Sequence, residues 1–101
     1  MSTEILIVDD NSEIRTILQE IISDSGYKTR LAANYNQALS EIDKKLPDVA
    51  IIDVKLDKGD NDGIELLNHI KNKNKDIPVI IISGHANIAV SYTHLEPTRQ
   101  P

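Results

Sequence analysis

Val49-Ala50-Ile51-Ile52-Asp53-Val54 is the stretch that decides the fold. Its unbroken apolar start leaves no polar face, so the run reads as a strand buried on both sides, the central strand of a parallel sheet. Asp53 falls where that strand should end. A carboxylate within a doubly covered strand is costly, whereas one at the carboxyl end opens into the crevice where open α/β sheets take their ligands. Asp53 is therefore the expected reactive centre. The plainer alternative is that it begins a turn, where Asp is common.

On the amino-terminal side, Glu4-Ile5-Leu6-Ile7-Val8 is a second apolar run, and it too stops at carboxylates, Asp9-Asp10. Ile14, Ile17, Leu18, Ile21 and Ile22 then recur at helical spacing, with Asn11 or Ser12 as the cap and Gly26 as the left-handed stop. Tyr27 to Ala32 alternates only in part and carries two charges, the pattern of an edge strand. Asn34 opens a second helix, with Gln37 placed to complete a capping box and Ala38, Leu39, Ile42 and Leu46 as its stripe, before Pro47 ends it. Lys44-Lys45 reads as a solvated last turn that complements the helix dipole rather than as a basic patch.

On the carboxyl side, Lys55 to Gly63 is polar, with two glycines and three acids, and must be a surface loop. It is only superficially a calcium loop, because it follows a buried strand and lacks the alternating acids and closing Glu of an EF-hand. Ile64, Leu66, Leu67 and Ile70 predict a third helix, ending in the Lys- and Asn-rich run from Lys71 to Lys75. Pro78 introduces a fourth strand, Val79-Ile80-Ile81-Ile82, which stops at Ser83-Gly84. Strands alternating with helices in this way form βαβ units, hence an α/β fold with a parallel sheet and right-handed crossovers.

The chain's 101 residues and net charge of -5 fit one domain and argue against direct nucleic-acid contact by this segment. There is no Cys, which excludes disulfides, thiolate metal sites and a cysteine nucleophile. No apolar run approaches the roughly 18 residues that a membrane span needs, and no signal-peptide pattern leads the chain, so a cytoplasmic address is expected. The four glycines, at 26, 59, 63 and 84, do not form a dinucleotide-binding fingerprint. His69, His85 and His94 lack metal-ligand spacing and read as surface or loop residues.

Strand ends at Asp9-Asp10, Asp53 and Ser83 should open on one edge of a right-handed parallel sheet, around a single crevice. Three carboxylates that close raise one another's pKa unless a cation intervenes, and oxygen-only ligation suits Mg2+. A carboxylate beside Mg2+ can attack a phosphoryl group to give an aspartyl phosphate, with the Ser83 hydroxyl bonding the transferred group.

Ile7-Val8-Asp9-Asp10, Ile52-Asp53, Asp62-Gly63 opening a helix and Ile82-Ser83-Gly84 together resemble the receiver domains of bacterial two-component response regulators. The resemblance implies a doubly wound, flavodoxin-like sheet of order 2-1-3-4-5. It implies that Asp53 accepts phosphate from the phosphohistidine of a sensor histidine kinase, and that Asp9, Asp10, Asp53 and the main-chain carbonyl of Lys55 hold Mg2+. Ser83 becomes the switch hydroxyl. The module is then regulatory rather than an enzyme, with at most weak self-dephosphorylation. The long loop before Asp62 and the run Ser83 to Ile88 look like receivers of the NtrX kind, which precede an output ATPase and a DNA-binding domain.

The resemblance implies more chain than is found. A fourth helix, a fifth strand ending in Lys and a last helix are all missing, so residues 1–90 read as a partial, truncated receiver and residues 91–101 as an irregular non-family tail. Two consequences are expected: an open edge on the fourth strand that invites dimers, aggregates or a molten state, and a helix stripe at Ile14, Ile17, Leu18, Ile21 and Ile22 left partly uncovered. Two other readings compete. One is an aspartyl-nucleophile phosphatase, which needs a general acid two residues after the nucleophile, where Lys55 stands. The other is a receiver-like interaction domain that is not phosphorylated.

Overall fold

The computed structural model describes residues 3–54, 56, 62–82 and 88–91. The elements follow in the order β1 (Glu4–Val8), α1 (Ser12–Asp24), β2 (Lys28–Ala32), α2 (Tyr35–Lys44), β3 (Val49–Asp53), α3 (Asp62–Lys73), β4 (Val79–Ile82) and β5 (Ile88–Ser91). The sheet order is β2-β1-β3-β4-β5. Strands β2, β1, β3 and β4 are parallel, with Ile7 opposite Leu31 and Ile51, and Asp53 opposite Ile82. This is the parallel sheet that the apolar runs predict, in the doubly wound order that the resemblance implies. Interior strands β1 and β3 each carry four consecutive buried residues, whereas β4, interior once β5 is paired, alternates between buried and half-buried.

No parallel fifth strand and no last helix follow among the described residues. The place beside β4 is instead taken by β5, which runs antiparallel and sets Ile82 against Ile88 and Val79 against Ser91. This corrects the expectation of an open edge on β4. A strand edge with unpaired amides is satisfied by any extended segment that can reach it, and Ile88 to Ser91 is near enough in sequence to do so. Residues 92–101, the rest of the expected irregular tail, lie outside the described ones.

Alternation along the strands sorts the core into two faces. Leu6, Val8, Ala50, Ile52, Val79 and Ile81 point to one side, where they pack against Ala38 and Ile42 of α2 and Leu66 and Ile70 of α3. Ile5, Ile7 and Ile51 point to the other, covered in part by Leu18 and Ile22 of α1. The stripe predicted for α1 is present but sparsely used: Ile14, Ile17 and Ile21 are 38%, 51% and 57% exposed. The third-helix pattern is trimmed as well, since Leu66 and Ile70 are buried while Ile64 is exposed.

The helix ends carry the predicted signals. Asn11 caps α1 by accepting from the amides of Glu13 and Ile14. Gly26 takes the left-handed conformation just past the helix end, with φ of 96°. Asn34 caps α2 by accepting from Gln37 N–H at 2.8 Å, while the Gln37 side chain reaches one residue further back than expected, to Ala33 N–H. Lys44 and Lys45 are solvated, as predicted, and pair with Glu41 and Glu4. Strand β2 is an edge strand with charges, yet Arg30 is no ornament of that edge. Its guanidinium donates to the carbonyls of Glu41 and Lys45 at 3.0 and 2.7 Å and pairs with the carboxylates of Glu41 and Glu4. It thus caps the end of α2 and ties it to β1.

Candidate functional site

The site grows from two neighbouring strand ends. At the end of β1, Asp9 N–H continues the ladder to Ala32 O at 3.2 Å, and the Asp9 carboxylate accepts from Asn11 N–H at 2.9 Å. That local turn carries the chain into α1 and leaves Asp10 exposed between two fixed residues. Arg15 closes the turn from the helix side, donating from Nη1 to the Asp9 carbonyl at 2.7 Å.

At the end of β3, Val54 N–H donates to Ile82 O, and Val54 O accepts from Gly63 N–H, both at 2.9 Å. The start of α3 is thereby drawn onto the strand end. The approach is so close that a Cβ on Gly63 would stand 2.4 Å from Asp53 O and 2.6 Å from Val54 Cα. Glycine is needed here for space. Asp62 beside it is buried at 4% exposure, and Leu56 packs into the core from within the loop.

These constraints bring Asp9, Asp10 and Asp53 together, with one carboxylate oxygen from each lying within 4.8 Å of the others. Asp9 and Asp53 are 4% and 9% exposed, while Asp10 faces solvent. Burial pushes the Asp9 carboxyl above its usual range, and the charge of Asp10 adds to that rise. The Asn11 amide, the Arg15 charge and a hydrogen bond with Asp53 act against it. Among the described residues, Arg15 is the positive charge that acts on Asp9, set against the carboxylates of Asp10 and Asp53.

Such a donor set fits Mg2+. The ion takes hard oxygen ligands at about 2.1 Å, so two of its ligands lie at most about 4.2 Å apart, and a span of 4.8 Å needs only a small side-chain adjustment to reach that.

Of the other predicted site residues, Lys55 and Ser83 lie outside the described residues, as do Asp57, Asp60, His85 and His94. His69 belongs to another place altogether: its Nε2 lies 3.1 Å from Asp43 Oδ1 in a bridge between α3 and α2. Two functional neighbours escape a reading of the sequence. Arg15 sits on the polar face of α1 with no local mark of its contact to Asp9. The need for glycine at 63 was visible only as the Asp-Gly pair that opens α3. Among the described residues, no helix is long and apolar enough to cross a membrane.

Comparison with known proteins agrees with this geometry. The pattern that defines the response regulator receiver domain matches residues 5–97. The chain is 41% identical over 88 residues to the nitrogen assimilation regulatory protein NtrX of Azorhizobium caulinodans, covering 87% of this chain and 19% of that protein. It is 40% identical over 88 residues to the sporulation initiation phosphotransferase F of Bacillus subtilis, covering 87% and 69%. The crystal structure of NtrX from Brucella abortus superposes with a TM-score of 0.75 at 39% identity, over 84% of this chain and 19% of that one. The chain thus spans about a fifth of the length of the NtrX proteins it matches. With its sheet order, its acidic strand ends and these relatives in agreement, the chain belongs to the response regulator receiver domains, the regulatory phosphoacceptors of two-component signalling.

Proposed function

We propose that Asp53 is the phosphoacceptor, taking its phosphoryl group from the phosphohistidine of a sensor histidine kinase. One observation carries the reading: Asp53 ends the interior strand β3 with its carboxylate beside those of Asp9 and Asp10, all three offering oxygens within 4.8 Å. In the transfer, a carboxylate oxygen of Asp53 forms the new P–O bond. The P–N bond to the kinase imidazole breaks, and the ring nitrogen keeps its electron pair. The product is a mixed anhydride on an otherwise unaltered chain.

Asp9, Asp10 and Asp53, with the main-chain carbonyl of Lys55, would hold Mg2+. When bound, the ion supplies the positive charge that offsets the carboxylates and the phosphoryl oxygens. Asp9 and Asp10 keep that charge at the strand ends, and Gly63 packs closely on the Asp53 main chain that carries the acceptor carboxylate. The Ser83 hydroxyl serves as the switch, hydrogen-bonding the transferred group. By likeness to NtrX, the module works in the cytoplasm and governs an output ATPase and DNA-binding domain.

Incubating the 101-residue chain with Mg2+ and acetyl phosphate tests the assignment. One base-labile phosphoryl group per chain is expected, added slowly because no Lys follows Lys75 to meet the phosphoryl oxygens. Asp53→Asn should abolish it. Label retained by that variant, on Ser83 or a histidine, overturns the proposal.

A further inference from the structure

The carboxylates have a neighbour that the phosphoacceptor reading does not use. Arg15, half-buried in the first turn of α1, turns its guanidinium back to the strand end and donates to Asp9 O at 2.7 Å. Its own N–H donates to Asn11 O at 3.0 Å, so the same residue grips both sides of Asp10. The turn from Asp9 to Asn11 is then held at four points: Asp9 N–H by Ala32, Asp9 O by Arg15, the Asp9 carboxylate by Asn11 N–H, and Asn11 O by Arg15 N–H. Asp10 is the exposed member of the cluster, and among the described residues no hydrogen bond or ion pair fixes its side chain. Its direction is inherited from the two peptides around it. One of those peptides carries the carbonyl that Arg15 holds.

We infer that Arg15 is a positioning residue for the cation site, fixing the Asp9-Asp10 peptide so that the Asp10 carboxylate stays with those of Asp9 and Asp53. The inference rests on the reading of those carboxylates as the Mg2+ site. A contact of this kind orients ligands without touching the ion, and loss of such contacts lowers metal affinity by roughly 10- to 100-fold. The guanidinium also has an opposite effect. It places a positive charge near the carboxylates, a charge that holds the Asp9 carboxyl down and that should repel a divalent cation. Orientation and charge therefore predict opposite signs when the side chain is removed, and this makes the role testable.

The test is a Mg2+ titration of the whole chain followed by backbone amide shifts, on the wild type, Arg15→Met and Arg15→Lys. Positioning predicts that Arg15→Met binds Mg2+ about tenfold more weakly, and that Arg15→Lys, which keeps the charge and one donor, recovers most of the loss. Before any metal is added, Arg15→Met should shift the amides of Asp9, Asp10 and Asn11 while leaving those of Ile80 and Ile81 in place. Tighter binding by Arg15→Met overturns the inference in favour of a purely electrostatic residue. Equal binding with a lowered melting temperature overturns it in favour of a structural one. A wild type whose Asp9, Asp10 and Asp53 signals ignore Mg2+ marks failure of the metal site itself. In that event unchanged metal-free shifts at Asp9 to Asn11 in Arg15→Met would overturn the positioning role as well, and changed shifts would uphold it for the carboxylate cluster alone.

Discussion

The two faces of the sheet are made from alternate residues of the same strands, and they are finished to very different degrees. On the face toward α2 and α3, the helices contribute Ala38, Ile42, Leu66 and Ile70, each 1% exposed or less. On the face toward α1, the helix contributes no fully buried residue, and three of its isoleucines face outward. Strand periodicity decides to which side a residue points. It does not decide what waits there. A helix with a well-formed apolar stripe can therefore be one of the least embedded parts of the molecule, because burial is a property of its neighbours as much as of its sequence.

The largest test of this contrast is Leu66→Ala on the dense face. It should cost about 2–5 kcal/mol by chemical denaturation, from lost burial and from the cavity left behind. Against a total of about 5–15 kcal/mol for a domain of this kind, that is a severe loss. Gly63→Ala comes next. It pushes α3 off the end of β3, where the new methyl would meet Asp53 O at 2.4 Å, and overpacking of this sort costs about 1–3 kcal/mol. The same change should move the amide shifts of Asp53 and Val54. If it leaves both untouched, the dense face and the acidic site are not mechanically joined.

A smaller effect is expected at the edge of the dense face, where Arg30 holds Glu41. That contact keeps the Glu41 carboxyl below its ordinary 4.5 in the folded chain. The unfolded chain then binds the proton more readily, so this stabilisation is complete above the ordinary value and fades as pH falls through the folded one. Glu41→Gln should cost about 1 kcal/mol at neutral pH and nothing once both states are protonated. A constant penalty across that window would assign the effect to packing of the stem instead. Least of all should come from Ile17→Ala on the sparse face, within about 0.5 kcal/mol. A loss there as large as that of Leu66→Ala would erase the difference between the faces.

Much of this was legible in the chain. The apolar runs at 5–8, 49–52 and 79–82 are strands because residues covered on both sides can carry no polar alternation, and the acids at 9, 10 and 53 mark where that cover ends. Caps and stops were local and therefore readable. Contacts formed only by folding were not. Arg30 looks like a solubilising charge on an edge strand until Glu41 and Lys45, 11 and 15 residues later, arrive beside it. Arg15 looks like one more polar-face residue until the helix turns it toward Asp9. Ile88 to Ser91 carries too few residues to declare a strand by period, and what makes it one is the unfilled ladder of β4.

That last strand has a geometric consequence. A parallel sheet has two poles, and the carboxylates occupy one of them. Strand β5 enters beside Ile82, at the acidic pole, and leaves at Ser91 beside Val79, at the other. With about 3.3 Å of rise per residue, the chain at Ser91 stands about 10 Å from the latitude of the acidic edge. A strand of the opposite sense would have released the chain next to that edge. Ser91 therefore stands at the pole away from Asp9, Asp10 and Asp53, a strand's length from the acidic cluster.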